Sequence, residues 1–189
     1  MSSKILREMI QGLGILIVDD NAFMRRQTRT MLINLGAKSV YEAADGLAAL
    51  EIIRVADPDI MVLDWDMPVL DGREVMRIVR SPDVFPRPNL PIIMLSDVAL
   101  RSHVLEAMRL GCHEFLLKPT SPKALQDRLL SIIAKPRPMV QVGKYFVPEP
   151  RNPAVVPRQW RERTATMIAA AATATVDGAI PELPAVAAA

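Results

Sequence analysis

The sequence contains a single cysteine, Cys112, and no long run of apolar residues. One cysteine cannot form an internal disulfide, and a lone thiol suits a reducing compartment. No stretch reaches the roughly 18 apolar residues that a membrane-spanning helix needs. The short apolar pieces in the first fourteen residues are broken by charge, unlike those of a signal peptide. We therefore expect a cytoplasmic protein that does not insert into a membrane.

The sequence also lacks a strong excess of charge of either sign. Its 189 residues carry a net charge of +2, with a balance of −1 up to Ala134 and +3 from Lys135 onward. Affinity for a phosphate backbone grows with the number of neutralising contacts, so we do not expect nucleic-acid binding. Half of the residues are hydrophobic, which is enough to form a core.

Five short apolar runs are spaced along the first two thirds of the chain. Most are too apolar to alternate, which is typical of strands buried on both faces of a parallel sheet. The predicted strands are Ile15–Val18, Val40–Ala43, Ile60–Leu63, Ile92–Leu95 and Glu114–Leu117.

Segments with helical spacing separate and follow these runs. A stripe from Met24 to Leu35 ends at Gly36, and Ser121 followed by Pro122 is typical of a helix start. The remaining apolar stripes predict helices over Gly46–Ala56, Gly72–Arg80, Leu100–Gly111 and Leu125–Ile133. The order is β-α repeated five times, which predicts an α/β fold with a doubly wound, five-stranded parallel sheet.

We divide the chain into three parts. Residues 1–13 lead into the domain, residues 14–134 form it, and residues 135–189 are a basic tail rich in proline and alanine. Six prolines between Lys135 and Pro157 exclude regular helix over most of that stretch. We expect the tail to be mostly irregular and largely disordered, because it has little apolar surface to offset the entropy of ordering.

The polar residues at the predicted strand ends form a coherent set. In parallel sheets, ligands bind beyond the carboxyl ends of the strands. There the sequence has Asp19 and Asp20, Asp64, Ser96 and Lys118. Three converging carboxylates repel one another unless a cation lies among them, and oxygen ligands suit Mg²⁺. The lysine and the hydroxyl complete a pocket for a phosphoryl group.

Four segments resemble the signature motifs of response-regulator receiver domains, most closely those of chemotaxis regulators. They are IVDDN at 17–21, LDWDMP at 63–68, MLS at 94–96 and FLLKP at 115–119. Both motifs and spacing agree from about Gly14 to Ala134. The resemblance implies the flavodoxin-like receiver fold and a single-domain regulator of a two-component system.

The resemblance also implies a role for each acidic residue. Asp64 is expected to accept a phosphoryl group from a histidine kinase or phosphotransfer protein. Asp19 and Asp20 are expected to hold Mg²⁺ together with Asp64 and the backbone carbonyl of Asp66. Phosphorylation and dephosphorylation would be self-catalysed, so we do not classify the protein as an enzyme.

The switch residues follow from the same resemblance. Ser96 is expected to supply the switch hydroxyl, and Lys118 is expected to pair with the phosphoryl group. The peptide bond between Lys118 and Pro119 is expected to be cis. Phe115 occupies the position of an aromatic that turns inward after phosphorylation. The output is a population shift of the fourth and fifth predicted helices and the fifth strand, which also form a candidate dimer surface.

Two acidic residues depart from or vary within the family pattern. Asp97 follows the switch hydroxyl, where a small residue is usual, and Asp66 lies two positions after the acceptor. Both are expected to tune the lifetime of the phosphoryl group. By contrast, we interpret Asp71-Gly72 as a turn. Arg25, Arg26 and Arg29 are interpreted as a solvated basic face that could help to dock a partner.

Two other functions stay open at this point. Asp64-Trp65-Asp66 has the Asp-x-Asp form of haloacid-dehalogenase-type phosphatases, although there the motif comes before the metal-binding acidic pair. A DNA-binding regulator acting through the tail is the other alternative, although no helix-turn-helix pattern follows Ala134. The sequence does not identify the cognate kinase or the downstream protein.

Overall fold

The apolar runs form the strands of one parallel sheet, and the amphipathic segments form helices around it. The structure, a computed structural model, describes residues 3–150. Its helices are α1 (Ser3–Gln11), α2 (Ala22–Leu35), α3 (Gly46–Ala56), α4 (Gly72–Val79), α5 (Arg101–Arg109) and α6 (Pro122–Ala134). Its strands are β1 (Gly14–Val18), β2 (Ser39–Ala43), β3 (Ile60–Asp64), β4 (Ile92–Ser96), β5 (Glu114–Leu117), β6 (Met139–Val142) and β7 (Tyr145–Pro148).

The main sheet has the strand order β2-β1-β3-β4-β5, and all of its neighbouring strands are parallel. The predicted fold class is therefore confirmed. β3 and β4 are buried along their whole length, as expected for strands covered on both faces. β2 differs from that expectation because it lies at the sheet edge, and only its last residue, Ala43, is buried.

The sheet separates two apolar layers. Successive side chains of a strand point to opposite faces. Leu63 and Met94 therefore pack on one face, with apolar residues of α3, α4 and α5. Val62 and Ile93 pack on the other face, with apolar residues of α1, α2 and α6. The strands that carry the polar set at their ends are therefore packed on both faces.

Local side chains and one glycine begin and end the helices, and Gly36 and Ser121 do so where the sequence predicts. The side chain of Asn21 accepts the N–H groups of Phe23 and Met24, so it caps α2. Gly36 ends that helix with φ of 113°, a value that glycine adopts without strain. Ser121 Oγ accepts the N–H of Ala124 at 3.1 Å at the start of α6.

Two segments outside residues 14–134 have structure that periodicity did not indicate. The predicted lead-in contains α1, whose Ile10 is fully buried in the core. The predicted irregular tail begins with an antiparallel hairpin of β6 and β7. Val147 of this hairpin is fully buried, and the N–H of Phe146 donates to the carbonyl of Arg80 at 2.8 Å. Both segments are ordered by contacts with distant parts of the chain.

None of the helices between residues 3 and 150 has the length and apolarity needed to cross a bilayer. Residues 151–189, which include most of the tail predicted to be disordered, lie outside the described residues.

Candidate metal centre

Adjacent strands bring three carboxylates together at one end of the sheet. Asp19 and Asp20 follow β1, and Asp64 ends the neighbouring strand β3. One carboxylate oxygen from each lies within 4.8 Å of the other two. Asp19 and Asp64 are buried, whereas Asp20 is exposed. The acidic residues identified in the sequence therefore form one cluster, accessible to solvent on the side of Asp20.

Backbone N–H groups orient two of these carboxylates. Asp19 Oδ1 accepts the N–H of Asn21 at 2.9 Å, which closes the turn between β1 and α2. Asp64 Oδ1 accepts the N–H of Trp65 at 2.8 Å. Both bonds are local, so the direction of each carboxylate is fixed by the conformation of its own turn.

Lys118 connects the two buried carboxylates. Its Nζ lies 2.7 Å from Asp64 Oδ1 and 2.8 Å from Asp19 Oδ2, and its side chain is only 5% exposed. The N–H of Lys118 donates to the carbonyl of Ser96, which ties the end of β5 to the end of β4. The bond between Lys118 and Pro119 is cis, as the sequence resemblance implies.

Burial and their mutual hydrogen bond shift the pKa values of Asp64 and Lys118. Burial raises the pKa of Asp64 to about 6, against the opposing influence of the hydrogen bond and charge of Lys118. The nearby charge of Asp19 is a smaller contribution to this raised pKa. For Lys118, burial disfavours the ammonium, but hydrogen bonds to Asp19 and Asp64 outweigh it and raise the lysine pKa above its ordinary value. The lysine therefore stays charged.

Ser96 is fully buried at the end of β4, one residue past the position that pairs with Asp64. Its Oγ accepts the N–H of Val98 at 3.1 Å and lies 3.5 Å from the carbonyl of Val98. The hydroxyl is therefore engaged with its own loop. It would have to exchange that bond to donate to a phosphoryl oxygen.

Phe115 belongs to an aromatic group around Trp65, the residue that follows Asp64. The Trp65 and Phe115 rings meet edge to face, with centroids 6.4 Å apart. His103 of α5 stacks on Trp65 with centroids 5.0 Å apart and an interplanar angle of 15°. The guanidinium of Arg73 lies 5.7 Å from the Trp65 ring centroid. Phe115 is half-buried, and its inward turn stays a prediction.

Asp66 and Asp97 flank the cluster, and both are exposed. Asp66 lies in the loop between β3 and α4, two residues after Asp64. Asp97 directly follows Ser96 in the loop between β4 and α5. The roles of the Asp66 carbonyl and of both side chains stay predictions that rest on these positions.

Gly72 contributes to the site in a way that its interpretation as a turn residue missed. It begins α4, and its N–H donates to the carbonyl of Trp65 at 3.0 Å. A Cβ at this position would overlap the backbone carbonyl oxygen of Asp64. The absence of a side chain therefore lets the start of α4 approach the end of β3. An Asp-Gly pair seven residues after a strand-end aspartate was the available signal.

The donor set is compatible with a divalent cation. All of its side-chain donors are carboxylate oxygens, which are hard ligands, and one face is open to solvent. Mg²⁺ prefers one or two carboxylates, several waters and phosphate oxygens. A site that combines a buried lysine with an exposed carboxylate can thus hold a cation and accept an anionic group.

Comparison with known proteins identifies the family. The sequence model of the response regulator receiver domain family matches residues 15–130 of this chain. The chain belongs to the response regulator receiver family. This receiver domain is 33% identical over 125 residues to chemotaxis protein CheY-3 of Vibrio cholerae, a match that covers 66% of this chain and 95% of the relative. It is 34% identical over 116 residues to chemotaxis protein CheY1 of Helicobacter pylori, covering 61% and 92% respectively.

Solved structures of receiver domains also resemble this chain. The receiver domain of a sensor histidine kinase from Pseudomonas aeruginosa, with a magnesium ion coordinated in its active-site cleft, matches with a TM-score of 0.58 and 31% identity. That match covers 66% of this chain and 99% of the other. A CheY from Borrelia burgdorferi, in complex with CheX, beryllofluoride and magnesium, matches with a TM-score of 0.57 and 27% identity, covering 64% and 88%. The receiver domain therefore has a phosphoacceptor role in two-component signalling, and neither these comparisons nor the described residues 3–150 support the phosphatase or DNA-binding alternatives.

Proposed function

We propose that Asp64 is the phosphoacceptor of this receiver domain. The observation that carries the proposal is the pairing of Asp64 with Lys118 at 2.7 Å, inside a cluster whose other members are Asp19 and Asp20. An ordinary helix cap would not need a buried lysine or two further carboxylates. The arrangement instead provides a nucleophilic oxygen, a fixed cation and oxygen ligands for a second cation.

The cluster fits Mg²⁺, which we propose is held by Asp19, Asp20, Asp64 and the backbone carbonyl of Asp66. When bound, Mg²⁺ neutralises charge on the phosphoryl oxygens and on the attacking carboxylate. Lys118 supplies a second positive charge in direct contact with Asp19 and Asp64. Its two partners are buried, so the field of the ammonium is screened little by water.

The reaction is a transfer between two protein side chains. An oxygen of Asp64 bonds to phosphorus while the bond from phosphorus to a histidine nitrogen of the donor breaks. The electron pair of that bond stays on the imidazole. We propose a histidine kinase or a phosphotransfer protein as the donor, in keeping with family membership. The same site then hydrolyses the acyl phosphate, so the protein is a self-modifying signalling module and does not turn over a separate substrate.

The signal would leave the site through Ser96, Lys118 and Phe115. A phosphoryl group on Asp64 offers oxygens to the Ser96 hydroxyl, which would give up its bond to Val98. Movement of the loop after β4 would then favour a second arrangement of α5, β5 and α6. Phe115 would move with it. We propose this face as the surface for a downstream protein, and also as the candidate dimer contact.

The side chains of Asp66 and Asp97 are proposed to set the lifetime of the phosphoryl group. Both are exposed and acidic, so they add negative charge where a hydrolytic water must approach. We propose the cytoplasm as the location of the protein, in keeping with membership of the receiver family.

Phosphorylation by acetyl phosphate tests the proposal. Incubation with MgCl2 should add one phosphoryl group to the wild type, seen as a mass increase that is lost on alkaline hydrolysis. Asp64→Asn should add none. Asp83→Asn, a change at an exposed loop aspartate, is the matched control and should be labelled like the wild type. Stable labelling of Asp64→Asn at another residue would refute the assignment.

A further inference from the structure

An arginine outside the acidic cluster holds the turn that carries two of its members. Arg25 Nη1 lies 2.8 Å from the carbonyl oxygen of Asp19 and 3.2 Å from that of Asp20, and it donates to both. The side chain is 18% exposed. One guanidinium nitrogen therefore bridges the backbones of consecutive residues whose carboxylates enter the cluster.

The start of α2 directs Arg25 onto this turn. The N–H of Arg25 donates to the carbonyl of Asn21 at 3.0 Å, so Arg25 lies in the first turn of the helix. Helical side chains point back toward the N-terminus. A long side chain at this position consequently reaches the residues that precede the cap, which are Asp19 and Asp20.

Glu42 on β2 forms an ion pair with the guanidinium. Its Oε2 lies 3.8 Å from Arg25 Nε, and Glu42 pairs in the sheet with Ile17 of β1. Because a guanidinium is planar, holding its Nε edge against β2 directs Nη1 toward the end of β1. Arg25 thus links β2, the end of β1 and the start of α2 through atoms on one rigid plane.

We infer that Arg25 is a positioning residue for the metal centre, keeping the turn at residues 19–21 in the conformation that aims the Asp19 and Asp20 carboxylates at Asp64. This inference rests on the proposed function, because it takes that cluster as the Mg²⁺ site. Arg25 itself bonds to backbone carbonyls and acts on the site only through the turn. Such outer contacts commonly govern metal affinity, because they set ligand direction before the ion arrives.

The neighbouring arginine Arg29 provides a matched control. It is one helical turn further along α2 and pairs with the other oxygen of Glu42, with its Nε 3.0 Å from Oε1. Its side chain is 47% exposed. Removing Arg29 therefore removes the same charge and a Glu42 contact, while both hydrogen bonds from Arg25 to the turn remain.

Calorimetric titration of the full chain with MgCl2 tests the inference. Arg25→Met keeps most of the aliphatic stem but no donor, and its Mg²⁺ dissociation constant should rise about 10-fold or more. Arg25→Lys keeps the charge without the planar fork and should lie between Arg25→Met and the wild type. Arg29→Met should stay within about threefold of the wild type.

Hydrogen exchange without metal gives a readout that is independent of Mg²⁺. The Asn21 amide, which bonds to Asp19 Oδ1, should exchange faster in Arg25→Met than in either the wild type or Arg29→Met. Unchanged exchange and unchanged Mg²⁺ affinity in Arg25→Met would overturn the inference. So would an equal loss of affinity in Arg29→Met, which would assign the effect to general charge.

Failure of the proposed function looks different in this experiment. A wild type that binds no Mg²⁺ would refute the metal site itself, whatever the variants do. If Arg25→Met fails to fold, as judged by circular dichroism, Arg25→Lys decides. Affinity and exchange in a folded Arg25→Lys that match the wild type would then contradict the need for a guanidinium.

Discussion

Replacement of Gly72 by alanine should disturb the site without removing any of its functional groups. The new Cβ would overlap the carbonyl oxygen of Asp64, and its next contacts would be Asp64 C at 3.1 Å and Trp65 Cα at 3.2 Å. All three atoms belong to the backbone, so no side chain can rotate out of the way. The start of α4 and the end of β3 must therefore move apart.

The expected cost can be estimated from three contributions. Forcing an extra methyl group into a packed position costs about 1–3 kcal/mol. Separation of the two segments also weakens the hydrogen bond from Gly72 N–H to the Trp65 carbonyl, worth about 1 kcal/mol. Alanine restricts the unfolded chain relative to glycine, which offsets about 0.4–1 kcal/mol. The net loss is about 2 kcal/mol, or a fall of about 4–8 °C in melting temperature.

Activity should suffer more than stability. Displacement of the Asp64 backbone shifts the proposed acceptor relative to Lys118, and misplacement of about 1 Å can cost a reaction up to roughly 100-fold. The rate of labelling by acetyl phosphate and MgCl2 should therefore fall at least about 10-fold at a temperature where the variant is folded. The loss should persist at saturating acetyl phosphate, because the proposed acceptor itself is displaced.

Gly12→Ala is the matched control. A Cβ at Gly12 meets no atom within 4 Å, so its unfolding free energy should stay within about 0.5 kcal/mol of the wild type and its labelling rate should not change. Equal stability and equal labelling of Gly72→Ala and Gly12→Ala would refute the view that close approach of α4 positions the acceptor.

Three further predictions concern elements around the site and can be checked by chemical denaturation. Asp71 caps α4 and pairs with Arg73 at 2.6 Å; although burial opposes it, the hydrogen bond from Arg73 leads the interactions that lower the Asp71 pKa. Asp71→Ala should thus lower the unfolding free energy by about 1 kcal/mol at pH 7. This difference from the wild type should shrink as the pH falls from about 4 through the lowered pKa of folded Asp71. A difference that is constant down to pH 2 would contradict the capping role. Val147→Ala should cost about 2 kcal/mol because Val147 is fully buried, and a cost below about 0.5 kcal/mol would mean that the hairpin is detached. His103→Ala should cost about 1 kcal/mol by removing the stack on Trp65, and His103→Phe should recover much of it; equal stability of the two variants would argue against the stack.

The strand-end cluster was predictable from the sequence because the parallel topology determines which residues lie together. Once five βα repeats are identified, the carboxyl ends of adjacent strands must lie at one edge of the sheet. Asp19, Asp64 and Lys118 needed no further information to be brought together. The caps at Asn21 and Ser121 were equally accessible, since capping depends on residues within one turn.

The interpretation of Arg25 as part of a solvated face does not hold in the structure, where its side chain is 18% exposed. In sequence it belongs to a basic triplet with Arg26 and Arg29, and composition cannot separate the three. What separates them is the direction of each side chain on α2 and the presence of Glu42 on a strand that is adjacent only in the folded sheet. An arginine in the first turn of a helix can reach back to the residues that precede the helix. For Arg25 these are the residues of the β1–α2 turn.

Arg80 shows why the compact unit extends past the predicted boundary at residue 134. Periodicity places it at the end of a helix, where an arginine is normally exposed, yet it is fully buried. Its Nε donates to the Gly111 carbonyl at 2.9 Å and its Nη1 to the Pro88 carbonyl at 2.7 Å, while burial lowers the pKa of Arg80 to about 9. The Arg80 carbonyl accepts the N–H of Phe146, so the hairpin packs beside this cation. Because a buried charge is tolerated only while its polar partners and its shielding remain in place, the hairpin is part of the fold, and a chain cut after residue 134 should be less stable than one cut after residue 150.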